Sequence, residues 1–135
     1  MALPKSFGAS SLPTFTVALG APAVISFDPV NGRKYRYVDE LYFNIVPNNI
    51  SAANDLVLSI YKLSAPTDDA AQMAAVGIPI LLNSVIGSNV SSLTPYNFTV
   101  PVFLYPDEAY RYIGVLITEA GPNEFSGFCG QRIVY

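Results

Sequence analysis

The chain has 135 residues, of which 51% are apolar and 13% charged, with a formal net charge of −3 and neither histidine nor tryptophan. That length suits one domain burying about two-thirds of the surface its unfolded chain exposes. Seven basic residues against ten acidic ones provide no cationic footprint for nucleic acid, and the lack of histidine removes the commonest general base and metal ligand.

Residues 1–13 carry Pro4, Gly8 and Pro13 around Ser10 and Ser11, which predicts an irregular, extended N-terminal arm. Leu3, Phe7 and Leu12 give it apolar groups that a solvated tail does not use. Residues 14–135 are expected to form the domain proper. Thr14–Leu19 alternates Phe15, Val17 and Leu19 with smaller groups and reads as a strand. Gly20-Ala21-Pro22 turns the chain into a second strand, Ala23–Phe27. Asp28-Pro29-Val30-Asn31-Gly32 has the residues of a turn, a fixed φ at proline and a tolerated positive φ at Asn-Gly.

Tyr35–Val46 is the clearest element. Tyr35, Tyr37, Leu41, Phe43 and Ile45 recur at a spacing of two, opposite Arg36, Glu40 and Asn44 mixed with Val38 and Tyr42. This is a long strand with one face toward a core. Asp39 falls on the apolar face, so it marks a bulge, a paired group or a functional carboxylate. Pro47-Asn48-Asn49 ends the strand and a polar loop follows. Asp55–Leu63 is the next strand, expected to pair antiparallel with Tyr35–Val46. Thr67, a candidate cap, precedes Asp68-Asp69 and the run AAQMAAV, which predicts one short helical turn near 68–76.

Ile78–Ile86 reads as a weak strand broken near Pro79, and Gly87–Pro95 as loop. Tyr96–Leu104 is a strand whose Pro101 implies an edge or a bulge. Tyr105–Glu108 turns into Ala109–Glu119, apolar on both faces: Ile113, Val115 and Ile117 on one, Tyr110, Tyr112 and Leu116 on the other. Its second face needs cover from a loop or a partner. A glycine-rich loop, Gly121–Gly127, leads to a final strand, Phe128–Tyr135. The sum is an all-β, single antiparallel β-sandwich, jelly-roll-like, of about eight strands.

The chemistry expected of an enzyme does not assemble. Cys129, the single cysteine, sits between Phe128 and Gly130 with no neighbour in sequence to lower its pKa, and reads as a core thiol. The acids come in pairs at Asp39-Glu40, Asp68-Asp69 and Asp107-Glu108, without the tryptophan platform of a sugar hydrolase or the dense ligand loop of a calcium site. Gly127–Gly130 precedes no Lys-Ser/Thr and opens no helix, so it is not a phosphate loop. No catalytic residue, metal or cofactor is assigned. Sequons at Asn49, Asn89 and Asn97 read as chance matches in a chain rich in Ser, Thr and Asn. The N-terminus lacks the apolar segment of a signal peptide, so synthesis in a cytoplasm is expected. Apolar runs such as Val76–Leu82, broken by Gly77 and Pro79, fall short of the ~18–20 residues of a membrane span.

The charged share is about half the ~25% usual for soluble domains. Such groups keep a lone domain wet and monomeric, so the shortfall predicts that part of the surface is covered by other copies or a larger assembly. Nine tyrosines add to this, with Tyr-Arg-Tyr occurring twice, as Tyr35-Arg36-Tyr37 and Tyr110-Arg111-Tyr112. These residues, with Tyr42 and the arm's Leu3, Phe7 and Leu12, form the candidate interface. Cross-strand packing in the core and a carbohydrate-binding face remain the other readings of the tyrosines.

The strands YRYVDELYFNIV, LVLSIYKL and AYRYIGVLIT, with the arm MALPKSFGASSLPTF, resemble the small jelly-roll decoration (cement) proteins of tailed bacteriophage capsids. The likeness runs over most of the chain as general character and supplies no matched motif, so no functional residue carries over from it. It implies a trimer on the capsid surface, made in the host cytoplasm and seated where major capsid proteins meet, reinforcing the shell against packaged DNA. The alternative is a carbohydrate- or receptor-binding jelly-roll module of a fibre or tail.

Overall fold

The computed structural model describes residues 5–7, 14–17, 22–27, 37–50, 53–90, 93–104, 109–110, 112–119 and 123–134. Among these are nine strands and one helix: β1 (Lys5–Phe7), β2 (Thr14–Val17), β3 (Ala23–Phe27), β4 (Tyr37–Asn49), β5 (Asn54–Leu63), α1 (Ala70–Val76), β6 (Ile78–Val90), β7 (Tyr96–Leu104), β8 (Tyr112–Glu119) and β9 (Glu124–Val134).

The strands form two antiparallel sheets. One runs β9-β4-β7, with β1 and β2 both paired to the free side of β9; the other runs β3-β8-β5-β6. The pairs nest along the chain: β5 with β6, β4 with β7, β3 with β8, β2 with β9. A long hairpin folded at β5–β6 and wrapped over two layers produces this order. It is the jelly roll, and the all-β sandwich expected from the strand pattern is the fold observed.

Alternation explains the layers. Leu41, Phe43 and Ile45 of β4 are fully buried, as are Leu58 and Ile60 of β5, Val115 and Ile117 of β8, and Phe125 and Cys129 of β9. These residues belong to one core cluster, in which Phe43 stacks on Phe98 of β7 at 5.2 Å between ring centroids. Each such side chain contributes about 1.5–3 kcal/mol through burial. Burial also pushes the Cys129 thiol pKa up, far above its ordinary value, which fits a core thiol and not a nucleophile.

A second, smaller core lies on the outer face of the second sheet. Tyr61, Leu63 and Met73 are buried together, with Val24, Tyr112 and Leu116 packed against them. The second face of β8 is thus covered from within the chain, by α1. Gly114 of β8 makes room for it: a Cβ there would lie 2.7 Å from Leu63 Cδ1 and 2.8 Å from Met73 Cε. The helix cap is Asp69, whose Oδ1 accepts from Gln72 N–H at 3.0 Å. Thr67, the expected cap, instead accepts from Asp69 N–H through Oγ1. Its backbone is tied to β3, where Ser26 Oγ donates to Thr67 O (3.1 Å) and accepts from Thr67 N–H (3.0 Å).

Several expectations need correction. β4 and β5 do not pair; they lie in different sheets, because each turns its apolar face to the same core from opposite sides. β6 is not broken at Pro79 and runs on to Val90. As the outer strand of its sheet, it tolerates a residue without an N–H, at the cost of four register shifts against β5. The glycine-rich loop is shorter than expected, since Glu124–Gly127 already belong to β9. Gly127 is there for close approach: a Cβ would meet Asn44 O of β4. Within the arm, Lys5–Phe7 are not irregular; they pair with Val134–Arg132 of β9. Asp39 sits at a register shift: Val38 pairs with Ile133 and Glu40 with the next residue, Arg132. It is the extra residue of a bulge.

Candidate functional site

The outward face of the first sheet is built by the residues between the buried ones. On β4 these are Tyr42, Asn44 and Val46, followed by the exposed Asn48; on β9, Ser126 and Phe128; on β7, Asn97, Thr99 and Pro101. Register sets Asn44 between Asn97 and Phe128, and Tyr42 between Thr99 and Gly130. Asn97 Oδ1 accepts two hydrogen bonds, from Tyr42 Oη at 2.9 Å and from Asn44 Nδ2. Asn48 and Ser126 bond each other in both directions, at 3.0 and 3.3 Å. The Tyr42 and Phe128 rings lie side by side, 5.9 Å apart and tilted by 42°. Among the described residues, charge is confined to the ends of this face. Arg132 Nη2 donates to Glu40 Oε1 at 2.8 Å at one end, a pair worth about 0–1 kcal/mol at such exposure. Glu124 stands exposed at the other.

The second surface is the β6 edge. Val76, Ile78, Leu82, Val85 and Leu93 are 54, 43, 52, 53 and 60% exposed, and all lie on β6 or its two flanks. No charged residue occurs between Asp69 and Asp107, a run that contains α1, β6 and β7. β6 and β7 are each the last strand of their sheets. Outer strands normally carry charges that discourage pairing with other chains; here Pro79 and the register shifts of β6, and Pro101 and the register shift of β7, stand in their place.

An open cleft of about 440 Å³ beside β3 is lined by Val24, Ile25, Ser26, Pro66, Thr67 and Asp68. Asp68 is the one acid among these, and the Ser26 hydroxyl is engaged by the Thr67 backbone.

Of the expected interface residues, Tyr42, Tyr110 and Tyr112 have described side chains. Tyr42 stands half-buried on the outward face of the first sheet. Tyr112 packs against the small core under α1, and Tyr110 is half-buried in the bend before β8. Tyr37 pairs with Val134 through the backbone and Phe7 with Arg132. Tyr37 and Tyr112 begin strands of different sheets. Leu3, Leu12, Tyr35, Arg36 and Arg111 lie outside the described residues. The β6 edge escaped the sequence reading although its signal was present: the charge-free stretch from Ala70 to Pro106. Asn97 drew notice there only as a sequon.

No protein-family model and no curated protein sequence matches the chain. Some solved structures align with it over most of its length. The core of Drosophila NLP, a pentamer-forming histone-binding protein, aligns with a TM-score of 0.43 and 12% identity over 95% of this chain and 97% of that one. A protein of the Sulfolobus turreted icosahedral virus aligns with a TM-score of 0.43 and 14% identity over 94% of this chain, which spans 29% of that protein. A chain of the Triatoma virus empty capsid aligns with a TM-score of 0.42 and 12% identity, covering 97% and 86% of the two.

Proposed function

We propose that the protein is a non-enzymatic structural component of a virus particle, a decoration protein that joins the capsid surface as a homo-oligomer and stabilises the shell. The observation that carries the assembly reading is the uncharged β6 edge, with Ile78, Leu82 and Val85 exposed on the strand and Val76 and Leu93 exposed on its two sequence flanks. The place on a capsid, the trimer and the major capsid protein as partner rest on the resemblance of the strands and arm to phage decoration proteins. A ligand that binds only the assembled shell stabilises it by mass action.

Magnitudes limit what the edge does alone. About half of each exposed side chain remains to be buried, which contributes on the order of 1 kcal/mol apiece. The total, about 5 kcal/mol, sits at the low end of the ~4–15 kcal/mol lost on association. Further contacts are required, and Leu3, Phe7 and Leu12 of the arm, with Tyr35, Tyr37 and Tyr110, are the proposed supplement. The test is co-sedimentation with capsids. Wild type binds and raises the temperature at which the shell releases DNA, while Leu82→Glu/Val85→Glu, folded, does neither. Equal occupancy by that variant would remove the edge from the contact, and failure of wild type to bind any capsid would remove the virion role.

A further inference from the structure

We propose that the outward face of the first sheet, around Tyr42, Asn44, Asn97 and Phe128, is a binding site for neutral saccharides. The proposal is independent of the assembly reading, which concerns the β6 edge.

The chemistry of the face selects the ligand. Between the Glu40–Arg132 pair and Glu124 it has no charge among the described residues, so it offers no charge-assisted bond to a phosphate, a sulfate or an acidic peptide. A sugar is neutral, presents hydroxyls that both donate and accept, and has an apolar C–H face. Amides answer the first requirement, since each carries a donor and an acceptor group; aromatic rings answer the second. Both are present, and the amides are already held in place. Tyr42 Oη and Asn44 Nδ2 converge on Asn97 Oδ1. Among the described residues this leaves the Asn97 Nδ2 donors, the Asn44 Oδ1 acceptor and the Thr99 hydroxyl without protein partners.

Asn44 and Asn97 face each other across β4 and β7, about 5 Å apart at Cβ as directly opposed residues are. One sugar ring can therefore meet both. Their fixed orientation lowers the ordering cost of binding. The paired Tyr42 and Phe128 rings supply the platform, and Gly130, opposite Tyr42, places no side chain beside it. A protein partner is the poorer fit, because the large apolar groups that stand exposed among the described residues are all at positions 76–93.

The test is a glycan array of neutral oligosaccharides with sialylated and sulfated versions as contrast, probed with the intact protein, followed by saturation-transfer NMR on the best neutral ligand. The expected result is binding to neutral glycans that weakens about tenfold or more in Asn97→Ala and in Phe128→Ala. Asn97→Asp, which keeps the shape and removes the outward donors, loses binding while melting as wild type does. Leu82→Glu, away from this face, binds as wild type. Absence of neutral-glycan binding, preference for the charged versions, or unchanged affinity in both Asn97→Ala and Phe128→Ala would overturn the proposal. So would protection of this face by a second copy or a protein partner.

Discussion

Replacing Gly114 with alanine will strain the seat of α1, and the strain will depend on Met73. The added Cβ would stand 2.7 Å from Leu63 Cδ1, 2.8 Å from Met73 Cε and 3.0 Å from Met73 Sδ, against the ~3.5–4.0 Å of a relaxed carbon contact. Leu63 and Met73 are both fully buried, so the displacement falls within packed side chains, and the cost is about 1–3 kcal/mol. Met73→Ala removes the plug between α1 and β8 and costs about 2–5 kcal/mol. In the double variant the new methyl group fills part of the space that Met73 leaves. The two effects are then less than additive, by about 1–2 kcal/mol. Urea denaturation of the four proteins gives these energies. Amide exchange over 70–76 gives a local reading, because a seven-residue helix does not persist without docking. A double variant that loses the sum of the two single losses, or a neutral Gly114→Ala, would refute the claim that the glycine exists to admit Met73.

Three further outcomes follow from the same structure. Gly127→Ala places a Cβ against the backbone of a central strand at Asn44 O, which cannot yield as a side-chain tip can; denaturant titration will show a loss of about 3 kcal/mol or more. Asp69→Ala removes the cap bond to Gln72 N–H and costs about 1 kcal/mol, with faster exchange in the first turn of α1. Cys129 will not react with a thiol reagent in the native protein, and it gives stability an alkaline limit. Its folded pKa is raised by burial, so above the ordinary thiol value of ~8.5 the unfolded chain releases a proton that the native state keeps. Stability then falls with rising pH by up to about 1.4 kcal/mol per unit, and this component vanishes in Cys129→Ala.

Much of the fold was legible because strand alternation is local. Leu41, Phe43 and Ile45 announced a buried face by their spacing, Pro101 marked an outer strand, and the double-sided apolar pattern of β8 foretold a second cover. The partner of a strand was not legible in the same way. β4 and β5 are adjacent in sequence and similar in pattern, yet the nesting of the jelly roll separates them. Proline and glycine misled twice, at Pro79 and at Gly127, because what they signify depends on the neighbour: an outer strand tolerates the first, and a close backbone crossing demands the second. The candidate surfaces were harder still. Tyrosines drew attention through abundance, but Tyr112 proved to belong under α1. Asn44 and Asn97, 53 positions apart, meet only once β4 and β7 pair. The β6 edge was visible as missing charge, a signal that periodicity does not register.

The most direct test of the assembly reading is the native mass of the purified 14.5 kDa chain, by light scattering across a concentration series, for wild type and for folded Leu82→Glu/Val85→Glu. The account predicts a wild-type oligomer, three chains in the form the resemblance implies, and a monomeric variant with an unchanged circular dichroism spectrum. A wild type that remains monomeric at every concentration, or a variant that keeps the wild-type mass, would contradict it.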